Sequence, residues 1–188
     1  MRITGGKAKG ITVKAPKGDQ TRPATDRMRE AVFSSLGARV ESAIVADLFA
    51  GTGGYGLEAM SRGASSCTFI EMHAKTAQVL RENTSSFCRH TQTPSRHLQV
   101  IQKDVFAYPT QSAKFDLIFV DPPYDQLEAI IDRLFDEVID TIGAPDALVV
   151  FEIPGHFEIG VNGWREQKRL GKRKRDRPTV SILARSDA

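Results

Sequence analysis

A chain of 188 residues, 40% of them hydrophobic, is long enough to bury one core and too short for several domains. No apolar run approaches the ~20 residues of a membrane span, and "MRITGGKAKG" lacks the apolar stretch of a secretory signal, so a cytoplasmic protein with no membrane partner is expected. The net charge of +3 conceals an acidic body between two basic ends: residues 1–30 hold eight Lys/Arg against three Asp/Glu, residues 165–177 eight against two, and residues 31–164 nine against seventeen.

Such ends favour a polyanionic partner over charges that are merely solvated, because each Lys or Arg that neutralises a phosphate releases a counterion. Residues 1–24 carry Gly, Lys and Pro with little periodicity; they are expected to form a basic extension with room for one short hairpin, and residues 25–188 the main domain. Met28, Ala31, Val32 and Leu36 mark a helix entered at Thr25 or Asp26 and closed by Gly37. From residue 44 onward, short β-branched and aromatic runs (44–49, 67–71, 98–104, 115–121, 147–153) alternate with helical stretches (54–62, closed by Gly63, and 73–89). Between 125 and 142, Leu127, Ile130, Ile131, Leu134, Phe135, Val138, Ile139 and Ile142 follow helical spacing, with Gly143 as the stop. The alternation predicts a doubly wound α/β domain with a mostly parallel sheet, and residues 163–184 read as an antiparallel hairpin closing it. Cys67 and Cys88 are neither closely spaced nor accompanied by His at metal-ligand intervals, so neither a zinc site nor a disulfide framework is expected, and no metal.

Ligands of such a sheet sit at the carboxyl ends of its strands, where Asp47, Glu71, Asp104 and Asp121 fall. "DLFAGTGGYG" places Gly51, Gly53 and Gly56 after the first strand in G-x-G-x-x-G spacing. The motif alone admits a dinucleotide, with Glu71 on a ribose, or nothing more than a tight turn. Asp47 argues against pyrophosphate, because a carboxylate beside the loop repels it, whereas the ammonium and sulfonium of S-adenosylmethionine suit it. Glu71 then holds the ribose hydroxyls, and Asp104 lies near the adenine amine.

"DPPY" ends the fourth strand with more punctuation than a stop requires, since one Pro already breaks a ladder. A planar exocyclic amine is a weak nucleophile that must be oriented by acceptors. Asp121 and the Pro122 carbonyl supply two, Pro122 and Pro123 hold them rigid, and Tyr124 offers a face for a flipped base. A plain proline turn with a capping acid is the alternative.

"MRITGGKAKG", "TRPATDRMREAVFSSLG", "DLFAGTGGYGLEAMSRGA" and "DPPY", in this order, resemble the RsmD family of class I methyltransferases, and the resemblance runs from Met1 to "TVSILAR". It implies a seven-stranded Rossmann-like sheet, S-adenosylmethionine as cofactor, and methylation of the exocyclic N2 of a guanine in small-subunit (16S) ribosomal RNA; the ribosomal RNA partner is expected within a small-subunit particle, with naked RNA as the open alternative. Carried over, Asp47, Gly51, Gly53 and Glu71 match the cofactor site, with Phe49, Ala50, Thr52, Met72, Asp104 and Val105 beside them. Asp121, Pro122, Pro123 and Tyr124 match the catalytic motif. Tyr55, "EMHAKT" after Glu71, and the rich basic stretch "RLGKRKRDR" depart from the family's usual pattern.

The candidate RNA surface is Arg2, Lys7, Lys9, Arg22, Arg27 and Arg29, together with Lys172, Arg173, Lys174 and Arg175; Arg22 and Arg29 have the alternative of pairing with acids near the cofactor mouth. Three other readings stay open at this point. An amino-methyltransferase of DNA bases, of another RNA or of a protein glutamine would use the same chemistry, although glutamine enzymes tend to carry Asn at the Asp121 position and so short a chain leaves no room for the separate target-recognition domain of a DNA enzyme. A non-catalytic RNA-binding assembly factor would keep the fold as scaffold. An NAD enzyme would need a hydride-transfer site that the sequence does not display.

Overall fold

The computed structural model describes residues 1–15, 23–108, 114–174 and 177–186, with the backbone alone over 23–25. Its seven strands form one sheet in the order β3-β2-β1-β4-β5-β7-β6. They are β1 (Ile44–Leu48), β2 (Ser66–Ile70), β3 (Leu98–Ile101), β4 (Phe115–Val120), β5 (Gly143–Pro154), β6 (Trp164–Leu170) and β7 (Pro178–Arg185). The first five pair in parallel, and β7 runs antiparallel to both β5 and β6, so the expected closing hairpin is present. The order reverses direction between β1 and β4, and the crevice at that switch point is where this topology places ligands.

Strand side chains alternate faces, and the core divides accordingly. Val45, Leu117, Phe119 and Val150 pack under α1 (Pro23–Leu36), α2 (Gly54–Ser61) and α3 (Ala74–Thr91). Ala46, Leu48, Ile118, Val120, Val149 and Phe151 pack on the opposite face, under α4 (Leu127–Arg133) and its continuation. The same parity puts Asp47, in phase with Val45, and Glu152, in phase with Val150, on the α1–α3 face.

Helix α1 begins at Pro23, two residues before the expected entry, with proline at the first helical position where a missing N–H costs nothing. The helix after DPPY is not uniformly α. Past α4 it winds as a π-helix over Leu134–Ile139 and finishes with one turn, Asp140–Ile142. Leu134, Phe135, Val138 and Ile139 are all buried there, and the wider winding keeps residues four apart in line over the sheet. Gly143 departs from its expected role as a left-handed stop: it sits at φ −70°, ψ 139° and opens β5, which therefore starts four residues earlier than predicted. Likewise β3 ends at Ile101, leaving Asp104 beyond the strand, where its side chain accepts from Phe106 N and caps a short 3-10 turn.

The N-terminal segment folds back on itself. Arg2 bridges Thr12 antiparallel, Ile3 N donates to Ile11 O and Val13 N to Met1 O, giving a short hairpin. Ile3, Ala8 and Val13 are buried in the α1–α3 half of the core. The hairpin is tied down by Glu58 of α2, which accepts from Thr4 N, Thr4 Oγ1 and Gly5 N at 2.7–2.9 Å. Among the described residues, no helix is long and apolar enough to cross a membrane.

Candidate active site

The loop after β1 is held by backbone geometry. Ala50 N donates to Ile70 O and Gly53 N to Ala50 O, while Asn83 of α3 donates to Thr52 O. Gly53 enters α2 at φ 91°, a conformation that favours glycine, and a Cβ there would also press on Leu80 Cδ1 at 2.6 Å. At Gly56 the reason is close packing of helix on sheet, since a Cβ would stand 2.3 Å from Phe69 Cε1. Phe49 is held at φ 58°, a left-handed conformation that costs a non-glycine residue roughly 1–3 kcal/mol. Its ring packs on the α4 half of the core and lines the adjoining cavity.

That cavity, about 530 Å³, opens at the carboxyl edge of β1, β2, β3 and β4. Of the residues predicted for the cofactor, Phe49, Glu71, Met72, Asp104 and Val105 line it, and Asp121, Pro122, Pro123 and Tyr124 form its other wall. Ile70, Val105 and Phe106 give it apolar surfaces on which a planar ring can lie, and Met72 and Tyr124 stand at its rim, 54% and 43% exposed. Glu71 accepts from Gly51 N at 2.9 Å and from His73 N at 2.7 Å, one bond to each oxygen. A carboxylate has lone pairs beyond those two, and these suit vicinal hydroxyls.

Asp47, Ala50, Gly51, Thr52 and Gly53 are not among the cavity's lining residues. Asp47 is 2% exposed and accepts from Gly56 N at 2.8 Å, so its carboxyl binds the first turn of α2 rather than facing the cavity. Burial pushes its pKa up to about 7, against the lowering effect of the Gly56 hydrogen bond.

Two residues that sequence reasoning did not place in the site stand behind its Asp121–Tyr124 wall, outside the lining itself. Glu152 of β5 accepts from Tyr55 Oη at 2.8 Å and from Tyr124 Oη at 3.4 Å. Because Val120 pairs with Phe151, Asp121 and Glu152 leave neighbouring strands side by side. Tyr55, noted only as a departure from pattern, stacks on Phe119 with ring centroids 5.2 Å apart. The signal for Glu152 lay in "VVFEI", an acid near the carboxyl end of an otherwise apolar strand.

Charge accumulates here. Asp121 opens to the cavity, but the surrounding walls strip much of its hydration, and Glu152 and Asp47 add like charge; its pKa is raised well above the carboxylate range. Burial also raises Glu152, offset in part by the two tyrosine hydroxyls and by Arg29. Tyr55 is raised too, by burial and then by Glu152 and Asp121, so its phenol stays protonated and donates. Carboxyls crowded in this way suit a cation, which favours their ionised forms, and a sulfonium beside an ammonium is one.

Of the predicted RNA contacts, Arg2, Lys7, Lys9, Arg27, Lys172 and Lys174 are exposed. Arg22 and Arg175 lie outside the described residues. Arg29 departs from the expected surface role: it is 4% exposed, with Nε 3.3 Å from Glu58 Oε2 and Nη2 2.8 Å from Asp26 Oδ1 and 2.5 Å from Arg2 O. It pairs with acids, but Glu58 and Asp26 are not among the residues that line the cavity, so the expected place at the cofactor mouth is not the one it takes. Arg173 is partly neutralised, at 2.8 Å from Glu158 and 3.6 Å from Glu166. The two basic ends meet, because a Cβ at Gly171 would stand 3.0 Å from Met28 Cε of α1. The basic turn also lies at the carboxyl edge of β5, where Pro154 pairs with Pro178 and Gly155 N donates to Arg177 O.

Comparison with known proteins places the chain in a family. The family model described as conserved hypothetical protein 95 matches residues 1–177. The Bacillus subtilis (strain 168) protein named "Putative rRNA methyltransferase YlbH" is 36% identical over 143 residues, 73% of this chain and 74% of its own length. The Escherichia coli (strain K12) protein named "Ribosomal RNA small subunit methyltransferase D" is 34% identical over 139 residues, covering 72% and 67%. A solved Escherichia coli structure, "Putative methyltransferase yhhF", superposes with a TM-score of 0.81 at 28% identity, over 98% of this chain and 97% of that one.

Proposed function

This chain belongs to the conserved hypothetical protein 95 family, the RsmD family of S-adenosylmethionine-dependent methyltransferases, and from that premise we propose that it methylates the exocyclic N2 of a guanine in small-subunit ribosomal RNA. It is an rRNA methyltransferase with S-adenosylmethionine as methyl donor. The observation that carries the finer reading is one cavity with Glu71 and apolar walls on one side and Asp121 to Tyr124 on the other. A donor and an acceptor base fit that arrangement side by side.

S-adenosylmethionine, when bound, supplies an electrophilic methyl on a sulfonium; Glu71, Asp104, Phe49, Met72 and Val105 would hold it, with the Asp47–Gly53 loop behind. The chain's own contribution is orientation. Asp121 accepts one N2–H and the Pro122 carbonyl the other, so the amine lone pair is aimed, and Pro123 keeps the turn stiff. Tyr124 stacks on the flipped base, a contact of about 1–3 kcal/mol at comparable sites. The methylated amine is cationic and strongly acidic, so it sheds its proton to water without Asp121 having to take it in the transition state.

On this reading residues 1–24 are a basic extension and residues 25–188 the methyl-transfer domain. The exposed Arg2, Lys7, Lys9, Arg27, Lys172 and Lys174 grip the phosphates of an RNA carried in a small-subunit particle. The test is transfer of tritiated methyl to small-subunit particles from cells lacking the enzyme, to naked ribosomal RNA and to duplex DNA. Label in either RNA sample is expected; label in DNA alone contradicts the proposal.

A further inference from the structure

Glu152 is a carboxylate held from two sides. Tyr55 Oη donates to Oε2 at 2.8 Å, and Tyr124 Oη approaches Oε1 at a longer 3.4 Å. The first bond is built in, because Tyr55 follows the glycine loop and is fixed by stacking on Phe119. The second is loose and belongs to a rim residue, so an incoming donor can displace it. Strand register sets Glu152 beside Asp121.

A base that offers its amine to Asp121 must present its pairing edge to the neighbouring acceptor. Guanine carries N1–H next to the N2 amine, two adjacent donors. Adenine and cytosine carry a ring nitrogen acceptor next to their amine, and a carboxylate repels that lone pair.

We propose that Glu152 is the guanine-selecting residue, accepting N1–H while Asp121 holds the N2 amine, and that Tyr55 is the positioning residue that fixes its rotamer. The inference rests on the reading of the cavity as a base pocket. It assigns a purpose to Tyr55, and it explains why an apolar strand carries an acid at this point.

The experiment uses small-subunit particles reconstituted with guanine or with 2-aminopurine at the position the wild-type enzyme methylates. 2-Aminopurine keeps the amine and loses N1–H. Wild-type enzyme is expected to favour guanine in kcat/KM by about 10–100-fold, the worth of one charge-assisted hydrogen bond. Glu152→Gln, whose amide can donate to the bare ring nitrogen, is expected to bring the ratio to about one or below, with S-adenosylmethionine affinity kept in calorimetry. Tyr55→Phe should shift the ratio part of the way, and it decides the matter if Glu152→Gln does not fold. Equal use of both bases by wild type overturns the proposal, as does an unchanged ratio in the folded variants. Absence of any N2-methylated guanine with wild type overturns the proposed function itself, and this inference with it.

Discussion

Tyr55 Oη lies 2.8 Å from Glu152 Oε2, so one hydrogen bond joins the helix behind the glycine loop to the strand beside Asp121. The donor side and the acceptor side of the cavity are thereby fixed relative to each other by groups that belong to neither the loop nor the DPPY turn. Such support keeps catalytic acceptors in place without reorganisation during reaction.

Asp121→Ala removes an acceptor from the amine while leaving Glu71 and the glycine loop untouched. Single-turnover methyl transfer should fall by about 10²–10³-fold, with S-adenosylmethionine affinity within a few-fold of wild type. Wild-type rates in this variant would remove Asp121 from the mechanism.

Stability should respond to pH through Asp47. Its pKa rises from 3.8 to about 7 on folding, so between those values the native state binds more protons than the unfolded chain. The contribution is fully present below the unfolded value and is lost as pH rises through the folded one, by up to roughly 4 kcal/mol. Asp47→Asn keeps an acceptor for Gly56 N and does not titrate. Thermal unfolding at pH 5 and pH 8 should show the variant gaining on wild type at the higher pH; parallel shifts would contradict the assignment.

Arg29 and Glu58 form a buried ion pair, 4% and 0% exposed, that anchors the N-terminal hairpin. Arg29→Ala leaves Glu58 with Arg62 and the hairpin donors but without its buried guanidinium, and should cost about 3 kcal/mol in urea unfolding. A change under about 0.5 kcal/mol, the level of an ordinary surface substitution, would show the pair to be incidental.

Lys172 and Lys174 are exposed on the turn beside β5. Replacing both by Ala should leave unfolding unchanged and reduce the slope of log K against log salt for ribosomal RNA by about 0.7–0.9 for each phosphate no longer neutralised. An unaltered slope would move the RNA path elsewhere.

Much of the fold was legible because periodicity and punctuation agree along the chain. Strands β1, β2 and β4, the closing hairpin and the glycine loop fall where Val, Ile and Phe runs meet Gly and acids. Misjudged boundaries were settled by tertiary packing: Gly143 pairs with Phe115 and so extends a strand instead of ending a helix, and Leu134–Ile139 adjusts its winding to the sheet. At the site, Asp121 and Glu71 announced themselves by position at strand ends. Arg29 did not reveal its burial, because its partner Glu58 lies 29 residues away on another helix. Glu152 acquires its place from strand order, which sets β5 next to β4, and from the phase it shares with Val150.

The most direct measurement is the identity of the methylated nucleoside formed by the wild-type enzyme on small-subunit particles from cells lacking it, separated by chromatography and assigned by mass spectrometry. N2-methylguanosine is the predicted product. Methyl on N1 of guanine, on an adenine or cytosine amine, or on no nucleoside at all would contradict the account.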